Sequence, residues 1–201
     1  MTITIGGLFF ILGHTPQKQN TSTEKIEGTD FIPTQMYMGD NGLGGLAVNE
    51  RTHQICLFKS HSSPPELFPI ADLIGSYLIK NGEIVSEGKR SFPNQVVTFS
   101  QDLHRQKESL IKNLHMDSLQ GGNQRIDLLV MVYEPDEPIL AINFLDMDTQ
   151  EGGILFEKSL STAKHWHDVL DGLILQADQL AQAQSVETSK KEAKEMAKTA
   201  P

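Results

Sequence analysis

The sequence predicts an α+β fold: an antiparallel, partly open β-barrel of about seven strands, capped by a C-terminal amphipathic helix. Three observations carry this. Short apolar runs are separated by turn-forming clusters at 49–52, 81–82 and 134–138, the pattern of successive hairpins. Residues 159–182 repeat apolar side chains at spacings of three and four, the period of a helix face. Both ends of the chain are polar or irregular, which assigns the core to residues 43–183.

In chain order, residues 1–42 read as an apolar N-terminal segment and an irregular lead-in. Ile3, Ile5 and residues 8–12 are apolar but interrupted by Gly6 and Gly7. Ten helical residues rise only about 15 Å, half of a hydrocarbon core, so a membrane span is not expected. A basic n-region and a small-residue cleavage site are also missing from this stretch. Runs 46–48 and 54–58 flank Asn49-Glu50-Arg51-Thr52 as a first hairpin. After Pro64-Pro65, residues 71–79 lead through Asn81-Gly82 to Ile84 and Val85. Asn-Gly suits a two-residue turn because both positions take positive φ. Val96 to Phe99 reads as a further short strand. Runs 126–133 and 139–145 flank Glu134-Pro135-Asp136-Glu137-Pro138 as a third hairpin, and 154–156 as a last strand.

Residues 102–116 place Leu103, Leu110, Ile111 and Leu114 on one face, a helical excursion between strands. The final helix, 159–182, carries Trp166 in its apolar stripe, with Ser159 or Ser161 to cap its start. The tail 184–201, rich in Lys, Glu, Ala, Ser and Thr, reads as disordered or as frayed helix.

Leu46-Ala47-Val48-Asn49-Glu50, then Gln54-Ile55-Cys56-Leu57-Phe58, then Phe68-Pro69-Ile70-Ala71-Asp72-Leu73-Ile74 and Asn81-Gly82 resemble the bacterial pleckstrin-homology-like domains. The resemblance spans roughly residues 44–182. It implies a first hairpin, a meander and a capping helix, and it implies a fold rather than a ligand. The chain departs from it in the lead-in and at 102–116.

Composition narrows the function classes. A net charge of −9 disfavours nucleic acid and anionic lipid as partners, since both recruit basic surfaces. Cys56 is the single cysteine, so no intramolecular disulfide forms, in keeping with a cytoplasmic protein.

Several motifs carry possible chemistry. Gly42-Leu43-Gly44-Gly45-Leu46-Ala47 spells a dinucleotide fingerprint but precedes a strand rather than a helix. His165-Trp166-His167 places two histidines about 200° apart on a helix, so they face no common ion; Trp166 reads as core and the histidines as surface. Asp146, Asp148 and Glu157 echo the ligand spacing of a calcium loop, though Glu151 stands where the sharp turn wants glycine. Cys56, near His53 and His61, lies in an apolar run that keeps a thiol inert. Glu134, Asp136 and Glu137 read as a solvated hairpin tip, and Asn20-Thr21-Ser22 spells a glycosylation sequon.

The reading is a non-catalytic binding or scaffold module for a protein or peptide, without a cofactor. Asn81, Gly82 and Trp166 are its structural markers. An enzyme with a site assembled from dispersed residues such as His61, Asp146 and Asp148 is the alternative. A membrane-associated adaptor acting through residues 3–12 is a further one.

Overall fold

A computed structural model describes residues 25–39, 44–59, 64–91 and 100–199. Strands β1 (Gln35–Met38), β2 (Gly45–Asn49), β3 (Gln54–Phe58) and β4 (Glu66–Pro69) form one antiparallel sheet in sequence order. Strands β5 (Leu73–Lys80), β6 (Glu83–Lys89), β7 (Gln124–Val132) and β8 (Ile139–Met147) form a second, ordered β6-β5-β7-β8. Helix α1 (Ser100–Gly121) joins β6 to β7, and α2 (Ile154–Thr199) ends the chain.

The three expected hairpins are present, and each turn has a local cause. Asn49 Oδ1 accepts hydrogen bonds from the amides of Arg51 and Thr52, so its side chain folds the β2–β3 loop. Asn81 and Gly82 take φ of +51° and +79° between β5 and β6, the left-handed pair of a type I′ turn. Pro138 ends the β7–β8 loop, its carbonyl accepting from the Val132 amide at 2.9 Å. Between the sheets, Ile70–Asp72 forms one 3-10 turn, tied back when the Ile70 amide donates to the His53 carbonyl.

The second sheet is a middle layer. Its central strand β7 is buried on both faces, hence its nearly unbroken apolar sequence. Ile126, Leu128, Val130 and Val132 face a core shared with Leu46, Val48, Ile55 and Leu57 of the first sheet and with Trp166, Leu170 and Ile174 of α2. Leu129 and Met131 face the other way, against Leu103 and Leu114 of α1. Tyr37 stacks on Phe144 at 4.0 Å between ring centroids and lies 6.4 Å from Trp166, which makes Trp166 the core residue its stripe predicts. The outer face of the first sheet is covered by Ile26 and Phe31, which pack with Ala47, Cys56 and Phe58.

The α+β class and the C-terminal helix thus agree with the sequence, and four details differ. The described strands number eight in two sheets rather than about seven, and the sheets do not close into a barrel. The expected lead-in contains β1, where Tyr37 points into the main core while Met36 packs on the outer face. Residues 154–156 are not a strand: Ile154 and Leu155 are exposed and only Phe156 is buried, which is the first turn of α2. That helix starts before Ser159 and runs on through the expected polar tail to Thr199. The tail is composed largely of Lys, Ala, Glu, Ser and Thr, with no Gly or Pro before Pro201, so nothing local stops the helix. The strand expected at 96–99 lies outside the described residues.

Candidate functional site

The most exposed strand of the described fold, β6, is tied to α2 by buried polar side chains. On β5, alternation turns Ser76 and Leu78 toward α2 and Tyr77 and Ile79 toward α1. Ser76 is fully buried, and its hydroxyl lies 2.9 Å from Nδ1 of His167 on α2. The other ring nitrogen, Nε2, lies 2.8 Å from the hydroxyl of Ser86 on β6. A neutral imidazole has one donor and one acceptor, and a hydroxyl can serve either, so both nitrogens are satisfied without charge. Burial pushes the His167 pKa below the ordinary histidine value, against the opposing pull of Asp171 and Asp168.

Two further features bring this end of β6 against α2. Gly88 lets the strand approach closely: a Cβ there would sit 2.4 Å from Asp171 Oδ1. Just past the strand, Arg90 Nε donates to Asp178 Oδ1, and the Ser91 amide donates to Oδ2 at 2.7 Å. Both side chains of the Arg90–Asp178 pair are more than nine-tenths buried. Arg90 also donates to the Ala71 carbonyl at 2.9 Å, tying the same point to the inter-sheet turn.

The outer edge of β6 has no strand partner among the described residues. Its pairing with β5 matches Ser86 to Leu78 and Ile84 to Ile79, so Val85 is the extra residue of a bulge. Ile84 and Val85 are 42% and 51% exposed, flanked by Glu83, Glu87 and Lys89.

Comparison with models of known protein families, with curated proteins and with solved structures finds no match.

The residues singled out from sequence are dispersed. Asp146, on β8, is engaged by Arg125 Nη1 at 2.9 Å and by the Asn123 side-chain amide at 3.0 Å. Arg125 also pairs with Asp127, whose carboxyl also accepts from Asn143 at 2.9 Å. Burial pushes the Asp127 pKa up, and Arg125 and Asn143 oppose that shift. Asp148 follows β8 and Glu157 lies in the first turn of α2, both exposed. Among the described residues, no three His, Cys, Asp or Glu side chains are placed to hold a metal ion. His61 lies outside the described residues, as do residues 3–12.

Asn81 does more than make a turn. Its Oδ1 accepts from the Arg125 amide at 2.8 Å, and its Nδ2 donates to Gln124, which anchors the turn to β7. Gly44 approaches β8: its φ is +81° and a Cβ there would lie 3.0 Å from the Ala141 carbonyl, so backbone conformation and close approach together account for this glycine. The Cys56 thiol is pushed up to about 12 by burial. The two histidines beside Trp166 part ways: His165 Nε2 meets Gln35 Oε1 at the end of β1, whereas His167 is buried and not on the surface. The cause is the breadth of burial on α2, which lies against both sheets at once.

Proposed function

We propose that this protein is a non-catalytic binding module that recognises an extended segment of another protein by strand addition at the outer edge of β6. The observation that carries the reading is that edge itself, with adjacent apolar side chains at Ile84 and Val85 exposed on it. Added strands gain affinity from main-chain hydrogen bonds and specificity from side chains beside the edge. Fixing a residue's backbone costs about 1–2 kcal/mol, so an edge held in place by His167 and, just past it, by Arg90–Asp178 leaves less ordering for the partner to impose. The bulge at Val85 and the charges of Glu83, Glu87 and Lys89 limit self-pairing while leaving room for a chosen partner.

The test is selection of peptides from a random display library on the full chain, followed by hydrogen exchange of the complex. Binding peptides are expected to slow exchange of β6 amides and to lose affinity for an Ile84→Lys/Val85→Lys variant, whose changes fall on exposed positions. Selected peptides that bind this variant equally well, or protect another surface, overturn the reading.

A second reading rests on Ser86, half-buried and 2.8 Å from a neutral imidazole. A hydroxyl activated by a neighbouring base is the start of a covalent hydrolase. A fluorophosphonate probe that labels Ser86 in the native chain would favour it; absence of labelling leaves the binding module.

A further inference from the structure

Lys107 occupies a position that the helix period reserves for the core. Leu103, Lys107, Leu110, Ile111 and Leu114 line one face of α1, and this face packs on Tyr77, Ile79, Leu129 and Met131 of the second sheet. Lys107 is nine-tenths buried among these apolar side chains. Holding an ammonium away from water is unfavourable unless hydrogen bonds or an opposite charge replace the water. Among the described residues no oxygen hydrogen-bonds this ammonium. It rests instead on an aromatic face, 4.6 Å from the centroid of the Tyr77 ring.

A second ammonium meets the same ring. Lys89, on β6, is half-exposed and holds its Nζ 5.9 Å from the Tyr77 centroid. Glu87 on the same strand lies 2.8 Å from Lys89 and offsets its charge. The charge of Lys107 is left without a contact partner among the described residues. Burial and the charge of Lys89 both push the Lys107 pKa below the ordinary lysine value, with Glu87 and Glu108 opposing. An oxyanion that reached Lys107 would supply the hydrogen bonds its ammonium lacks, with the Glu87 carboxylate as its competitor for Lys89.

We propose that Lys107 and Lys89, arranged about the Tyr77 ring, form a binding site for an oxyanion, a carboxylate or phosphate group. Each ammonium offers three donors to oxygens, and both lie close to the Tyr77 ring, at 4.6 and 5.9 Å from its centroid. Lys89 is the solvent-facing member and Lys107 the buried one. The site lies on the α1 face of the sheet, opposite His167; it shares Lys89 with the β6 edge, but Lys107 and Tyr77 take no part in strand addition there.

The test is side-chain ammonium NMR on the full chain with nitrogen-15 lysine. Sodium phosphate and sodium acetate are titrated separately to about 20 mM, with sodium chloride holding ionic strength constant, a range that resolves millimolar dissociation constants. The proposal expects saturable shifts of the Lys107 and Lys89 resonances with at least one of the two anions. The anion that saturates at lower concentration identifies the class. Lys107→Met keeps the apolar stem and is expected to abolish saturation at Lys89. Lys89→Gln, at a half-exposed position, is expected to weaken binding by about tenfold. Shifts that stay linear for both anions, or that persist unchanged at Lys89 in Lys107→Met, overturn the proposal.

Discussion

Replacing Gly82 by alanine tests how the second sheet holds α1. Gly82 combines two demands that only glycine meets. Its φ is +79°, and an added Cβ would lie 2.2 Å from Cβ, 2.3 Å from Cα and 2.7 Å from the amide nitrogen of His115 on α1. Two of those atoms are helix backbone and the third is the Cβ fixed directly to it, so none can rotate away as the end of a side chain can. Restoring ordinary van der Waals separation of about 3.4 Å requires α1 and the turn to part by more than 1 Å, roughly an overpacking strain of 1–3 kcal/mol. The left-handed conformation adds about 1–2 kcal/mol for a residue with a Cβ. The expected loss is therefore about 2–5 kcal/mol, or roughly 4–20 °C in Tm for a chain of this length. Gly122→Ala provides the reference: its φ is +65°, but nothing lies within 4 Å of the added Cβ, so only the conformational part applies. Urea unfolding of both variants, followed by circular dichroism, measures the difference. Gly82→Ala is expected to be less stable than Gly122→Ala by at least about 1 kcal/mol. Equal losses would refute the close seat of α1 on this turn, and with it the route by which His115 reaches the Asn81 carbonyl at 2.9 Å.

Three further outcomes follow from buried groups. The folded pKa of His167 is depressed, so its neutral form contributes stability that is complete above the unfolded value of about 6.5 and is lost progressively as pH falls from there toward the folded pKa; urea midpoints between about pH 7.5 and 5.5 should fall with acid, and less steeply in His167→Gln. The Cys56 thiol, pushed up to about 12 by burial, should resist iodoacetamide at neutral pH and react fully in denaturant; rapid native alkylation would contradict its place beneath Phe31. Asp178→Ala strands the buried Arg90 guanidinium and should cost about 3–5 kcal/mol by urea unfolding, whereas Arg90→Met/Asp178→Leu should recover much of that loss.

The parts of the fold legible in the sequence are those with local causes. Asn81-Gly82 declares its turn because two adjacent positive φ values exclude most other pairs. The stripe on α2 declares a helix because a period of three and four has no other reading over so many residues. Elements fixed by distant partners were not legible. Gln35–Met38 becomes β1 through its register with β2 and the stacking of Tyr37 on Phe144, more than a hundred residues away. Ile154-Leu155-Phe156 looks like a strand because three apolar residues stand together, yet only the burial of Phe156 shows which period applies.

The site residues escaped sequence reading for a related physical reason. A periodic pattern marks which face of an element is buried by the apolar residues on it, so a polar residue on that face reads as its boundary. His167 follows Trp166, and the pattern alone leaves it at the rim of the stripe. Only the packing of α2 against β5 and β6 moves that rim, bringing two serine hydroxyls to the ring. Lys107 differs, because it stands inside its stripe, four residues after Leu103 and three before Leu110. A charged residue in that position conflicts with the local rule of an apolar core, and such conflicts concentrate where a protein binds or reacts. The signal was therefore present in the spacing. What the spacing lacked was Lys89, which approaches the same Tyr77 ring from another strand and turns one buried ammonium into a pair.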